Sequence, residues 1–151
     1  MMSNKLPSEV AAIVATIDPD AYTATTYLTD AIDMSKFDAL MAVIMNGTLG
    51  SSAVVNASFT QATTSGGTYK AIDPAKAITA LGQASPDASD KQAIMNLRAE
   101  ELDIDNGYRW VKLSVVLTVA TSDLAAIVFG FGERYGPAYD GDLASVAEIV
   151  N

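Results

Sequence analysis

The sequence predicts an all-β protein, an antiparallel β-sandwich of jelly-roll-like form, and three observations carry that expectation. Val111, Leu113, Val115, Leu117 and Val119 alternate with Trp110, Lys112, Ser114, Val116 and Thr118. A period of two puts each set on one face of an extended strand, and β-branched residues suit a pleated surface. Val55, Ala57 and Phe59 alternate in the same way with Asn56, Ser58 and Thr60, the pattern of a strand with one buried and one wet face. Short apolar runs of this kind recur between clusters of Gly, Pro, Asn and Ser, as they do in sandwiches and barrels. A length of 151 residues suits one domain with a real core. Nothing in the sequence orders the strands.

At the N-terminus, Pro7-Ser8-Glu9 followed by Val10, Ile13, Val14 and Ile17 predicts a short amphipathic helix capped by Ser8. Asp18-Pro19-Asp20 would end it, because the residue before proline avoids helical backbone. Residues 1–20 are therefore expected to form an arm beside a sandwich spanning 21–135. The apolar run from Val10 to Ala15 is too short for a signal peptide and has Glu9 directly before it. No run approaches the roughly 20 apolar residues of a membrane span.

Thr23 to Tyr27 reads as a strand that reaches toward Ile32, and Asp33 to Phe37 as a turn. Ala39 to Met45 is apolar at every position; its length suits a strand buried on both sides, with a helix as the alternative that periodicity alone leaves open. Asn46-Gly47 and Leu49 to Ser52 punctuate the chain before the Val55 strand. Thr63 to Thr68 is a loop, Asp73-Pro74 a turn, Ala77 to Leu81 a short strand, and Gly82 to Asp90 irregular.

Gln92 to Leu102 has helix-favouring residues, but Ala93, Met95, Leu97 and Ala99 alternate. The strand reading is preferred because Asp105-Asn106-Gly107 follows, and Asn-Gly is the favoured type I′ hairpin pair with positive φ at both positions. That turn would pair Gln92 to Leu102 with the strand that starts at Trp110. Ala125 to Gly132 reads as a third consecutive strand, in which Gly130 and Gly132 mark a bulge or a close backbone approach. Residues 136–151 form a non-regular tail, with Leu143, Val146, Ile149 and Val150 as a short helix or arm. Both termini would be ordered by contact with a partner, since helices this short are marginal alone.

The net charge of -9 and pI near 4.2 repel nucleic acid backbones and anionic membranes, so neither is an expected partner. The chain has no cysteine and no histidine. Disulfides, thiolate metal sites and histidine-based nucleophilic machinery are excluded.

The remaining constellations read as surface or packing features, and no catalytic, cofactor-binding or metal residue is expected. Glu100, Glu101, Asp103 and Asp105 form the densest acidic cluster. A calcium loop needs several oxygen ligands on a turn, but the EF-hand spacing fails at Asn106, where glycine would follow. A solvated turn is the preferred reading. Glu100 and Glu133 flank apolar strands, yet nothing sets them opposite each other as a glycosidase pair. Gly130 and Gly132 lack the third glycine and the following helix of a phosphate loop. Tyr108, Trp110, Tyr135 and Tyr139 could stack on sugars, but such aromatics serve more often in packing or subunit contact.

Four stretches carry a family resemblance: Ile32-Asp33-Met34-Ser35-Lys36-Phe37, Leu49 to Ala57, Lys91 to Asp103, and Arg134-Tyr135-Gly136-Pro137-Ala138. They resemble the small head decoration, or cement, proteins that tailed bacteriophages encode near the major capsid gene. Phe59 to Thr63, followed by a Gly/Thr loop and Lys76 to Thr79, is also similar. The resemblance implies a non-enzymatic virion protein with a β-sandwich body, assembled in the host cytoplasm. It would sit on the outer capsid surface and hold adjacent major capsid protein subunits together, as a homo-oligomer (dimer or trimer). The alternatives are a phage tail or neck protein, or a carbohydrate-binding module built on Trp110 and the tyrosines.

Overall fold

The computed structural model describes residues 6–134 and 141–150. After one helical turn, Pro7–Val10, ten strands follow: β1 (Ala11–Tyr22), β2 (Thr26–Leu28), β3 (Ile32–Asp33), β4 (Ala39–Asn46), β5 (Val54–Ala62), β6 (Lys70–Ala71), β7 (Leu81–Gly82), β8 (Gln92–Arg98), β9 (Trp110–Thr118) and β10 (Ser122–Phe131). Sheet A has the order β1-β10-β4-β8, and sheet B the order β2-β9-β5-β6, with β3 on β9 and β7 on β5. All pairings are antiparallel. The chain alternates between the sheets, passing from β1 to β2–β3, then β4, β5–β7, β8, β9 and β10, and this is the double Greek-key path of a jelly roll.

The two inner faces make the core. Sheet B contributes Val111, Leu113, Val115 and Leu117 of β9 and Val55, Ala57 and Phe59 of β5, all buried. Their register opposes Val115 to Ala57 and Leu113 to Phe59, so small and large side chains alternate across the ladder. Sheet A answers with Leu40, Ala42 and Ile44 of β4, Met95 and Leu97 of β8, and Val128 of β10. Phe37 and Leu102 lie in the connections and are equally buried.

The strand alternation of β5 and β9 is as the sequence predicts, except at Val119. That residue has φ +75° and is 69% exposed; β9 ends at Thr118, and the chain turns there toward sheet A.

Several expectations are corrected. Only Pro7–Val10 is helical; Ala11–Tyr22 is a strand. Its register on β10 shifts between Ile13 and Ala15 and again between Ile17 and Asp20. The first shift sets Val14 and Ala15 both inward, which breaks the period of two and mimics helical spacing. The expected boundary at residue 20 therefore falls inside a strand of the sandwich. Further on, Ala77 makes only an isolated bridge to Ser58, and β7 is confined to Leu81–Gly82. The Thr23 strand starts later, at Thr26, and resumes at Ile32 after a detour. Thr29 fills the detour: the Leu113 N–H donates to its hydroxyl at 3.0 Å, so β9 loses no ladder bond there.

The predicted hairpin is also absent. β8 is a strand, but it pairs with β4 in sheet A, while β9 lies in sheet B. Residues 99–109 cross from one sheet to the other. Pairing with β4 sets Leu97 against Leu40 and Met95 against Ala42 on the core face, a gain in apolar burial that a local turn signal does not encode. Ile104–Asn106 is a single 3-10 turn, closed by the Gly107 N–H donating to the Ile104 carbonyl at 2.9 Å. Positive φ is needed at Gly107 (+79°) and not at Asn106. A Cβ at Gly107 would meet nothing within 4 Å, so Gly107→Val should cost backbone strain alone, about 1–3 kcal/mol. An unchanged midpoint in urea unfolding would show that the left-handed cap contributes nothing.

Candidate interaction surface

The two outer faces of the sandwich differ in chemistry. On sheet B the outward residues of β5 are Val54, Asn56, Ser58 and Thr60, opposite Thr118, Val116, Ser114 and Lys112 of β9. That face is largely polar. On sheet A, Met41, Val43 and Met45 of β4 stand between Phe129, Ile127 and Ala125 of β10 and Asn96, Ile94 and Gln92 of β8. Ile13 of β1 extends the row beside Phe129. The inner positions of β4 are buried, but Met41 and Val43 are only half-buried and Met45 is exposed. The expected burial on both sides therefore holds for one face only. A two-layer domain has no third layer to cover an apolar outer face, and contiguous apolar patches of this kind mark contact sites.

One corner of this face is covered by the chain itself. Residues 141–150 run past β1, and the Asp142 N–H donates to the Ile13 carbonyl at 2.6 Å. A cavity of about 380 Å³ lies between them, lined by Pro7, Ala11, Ile13, Phe129, Leu143 and Ile149 among others. Of the expected terminal helix, the structure forms only a 3-10 turn at Leu143–Ser145. Tyr135 and Tyr139, together with Gly136 to Ala138, lie outside the described residues.

The acidic cluster is split among separate partners. The Arg98 guanidinium approaches Glu100 at 3.4 Å, and the Arg98 N–H donates to Glu101 at 2.8 Å. Glu101 also pairs with Lys76, and Asp103 with Lys70 at 2.8 Å and the Asn106 amide at 2.7 Å. Among the described residues no group of three or more acidic side chains is placed to hold a metal ion. The cluster ties the crossover to sheet B. Gln61, buried on β5, completes the tie by accepting the Asp103 N–H at 2.9 Å and donating to the Ala71 carbonyl. The sequence offered no signal for Gln61 beyond its place among the inward positions of β5.

The hydrogen bond from Lys76, then the one from the Arg98 N–H, holds the Glu101 carboxyl below its ordinary 4.5. A depressed folded pKa means that the stabilisation is present above pH 4.5 and is lost as pH falls through the folded value. Glu101→Gln should therefore flatten the loss of stability on acidification. Equal acid slopes for the two proteins in urea titrations between pH 6 and 3 would show that the pair contributes nothing.

Glu100 and Glu133 follow β8 and β10 at the same end of sheet A, with β4 between them. Glu100 is exposed and engaged with Arg98, which leaves no opposed carboxylate pair. Gly130 is a close approach, as expected: a Cβ there would lie 2.7 Å from the Phe37 ring and 2.9 Å from Val14. The aromatic faces proposed for sugar stacking already carry cations. Lys70 sits 4.0 Å from the Tyr108 ring centroid, and Arg109 sits 5.4 Å from that of Trp110.

No family model matches the chain. No curated protein matches it either. Among solved structures it is similar to the structure of infectious bursal disease virus Gt strain, with a TM-score of 0.45 and 14% identity over 84% of this chain and 34% of that one. The Gx strain structure gives 0.37 and 13%, over 84% and 32%. The chain spans about a third of the length of these structures.

Proposed function

We propose that this chain is a non-enzymatic structural protein of a bacteriophage virion that decorates the outer capsid surface and bridges adjacent major capsid protein subunits. The observation that carries the reading is the apolar outer face of sheet A, centred on Val43 and Ile127, in a chain of net charge -9. Such a face gains free energy when another protein covers it. The resemblance of four sequence stretches to phage head decoration proteins names the partner. The net negative charge of the chain favours a basic partner. Sheet B, with its polar outer face, would point to solvent.

The test is reconstitution of purified chain on undecorated phage shells, read by cryo-electron microscopy and by co-sedimentation. Added density should follow the icosahedral lattice with sheet A against the shell. Val43→Glu puts an unpaired charge at the centre of that contact, and its cost of about 3 kcal/mol should weaken attachment roughly 100-fold. Ser58→Glu, on the opposite face, should attach as the unsubstituted chain does. Attachment to tails or necks instead of shells, or equal attachment by both variants, overturns the reading.

A further inference from the structure

We infer that β8 is a self-pairing edge: two copies of the chain join through antiparallel β8–β8 pairing about a two-fold axis at Ile94, which makes one continuous eight-stranded sheet A. The inference needs no shell and stands apart from the virion reading.

Edge strands expose a row of unpaired backbone groups, and proteins blunt them by shortness, bulges, proline, charge or a covering segment. Three of the four edges here are blunted in these ways. In sheet B, β2 and β3 on one side and β6 and β7 on the other are two or three residues long. In sheet A, β1 carries two register shifts, and the tail covers it at Ile13. The exception is β8. It runs seven residues without a register shift and without proline.

The hydrogen-bonding parity of β8 is fixed by its ends. The Asn46 N–H donates to the Lys91 carbonyl, and the Ala99 N–H to the Asp38 carbonyl. Residues 91, 93, 95, 97 and 99 therefore bond to β4, and the N–H and C=O groups of Gln92, Ile94, Asn96 and Arg98 point to the free edge. Arg98 bears this out, since its N–H is taken by the Glu101 carboxylate. The outward groups of Gln92, Ile94 and Asn96 have no protein partner among the described residues. A groove of about 420 Å³ separates this part of β8 from the Ala75–Thr79 segment and Leu81, so the edge is not closed off by sheet B.

The residue pattern chooses a second copy as the occupant. With the axis at Ile94, the free outward N–H groups of Gln92, Ile94 and Asn96 each meet an outward C=O, because antiparallel pairing of an edge with itself is self-complementary. Ile94, 61% exposed, then packs against its own copy. Gln92 faces Asn96 of the other chain, two amides that can exchange hydrogen bonds. The new ladder runs from Gln92 to Asn96, since the Arg98 N–H is held by Glu101 and the Asp90 N–H by the Gly47 carbonyl. A shift of one residue would set outward groups against groups already used by β4.

The test is molar mass by light scattering and sedimentation equilibrium on the full chain, which has a mass of 15.8 kDa. About twice that mass is expected. Ile94→Asp and Ile94→Lys each place like charges together at the axis, and each should run as a monomer with an unchanged circular dichroism spectrum. Mixed in equal amounts they should recover the dimer, since the axis now pairs Asp with Lys. Ile94→Pro, which removes the outward N–H and the axial side chain but no bond to β4, should also be monomeric. A monomeric unsubstituted chain overturns the proposal. So does a dimer that survives either charge, or a mixture that stays monomeric, because the two-fold would then lie elsewhere.

Discussion

Deleting residues 1–17 is expected to abolish cooperative folding. The deletion removes most of β1, with the buried Ala12, Val14, Ala15 and Ile17, and uncovers β10 from Ala126 to Phe131. Fully burying Val14 and Ile17 stabilises by about 1.5–3 kcal/mol each, and the alanines and ladder hydrogen bonds add to this. A loss on the order of 8 kcal/mol is comparable to the whole stability of an ordinary domain, about 5–15 kcal/mol. Thermal unfolding followed by circular dichroism and by the fluorescence of Trp110 should show no sharp transition in the truncated chain. A transition within a few degrees of the full chain would mean that sheet A closes without β1, and that the first strand is an appendage.

Phe37→Ala is expected to cost about 3–5 kcal/mol, the range for emptying a large buried aromatic site. Phe37 is 2% exposed and packs over Gly130. Gly130→Ala should cost about 1–3 kcal/mol by overpacking, because its Cβ would lie 2.7 Å from the Phe37 ring. The two effects are coupled. Once Phe37 is truncated, the space its ring vacates accepts the new methyl group. The double variant should then be less destabilised than the sum of the single ones. Urea unfolding of the four proteins gives the coupling energy. Strict additivity would show that Val14, 2.9 Å from the new Cβ, and not the ring, excludes the methyl group.

Both results turn on how the ends of the sandwich are closed, and there the sequence is least legible. The alternation in β5 and β9 is plain because each has one polar outer face, so inward and outward residues differ in kind. β4 and β10 are apolar on both faces, and periodicity cannot separate a double-sided strand from a helix there. β1 was the hardest case: its bulges put Val14 and Ala15 on the same side, and the resulting spacing resembles an amphipathic turn. The candidate surface was visible as the all-apolar run from Ala39 to Met45, but not its exposure, which depends on what lies outside the sheet.

By itself the sequence determined the fold class, the polar loops, the absence of cysteine and histidine chemistry, and the inward face of the central strands. These follow from composition and from local period, which each segment carries alone. The tertiary structure alone decided which strands are neighbours. It sent β8 to β4 and not to β9, although a strong local turn signal lay between β8 and β9. The reason is energetic: a turn contributes one local preference, whereas the pairing of β8 with β4 buries Leu97 and Met95 over the core and completes a second sheet. The same long-range choice left one regular, proline-free edge open, and no segment of sequence specifies an edge until its neighbours are placed.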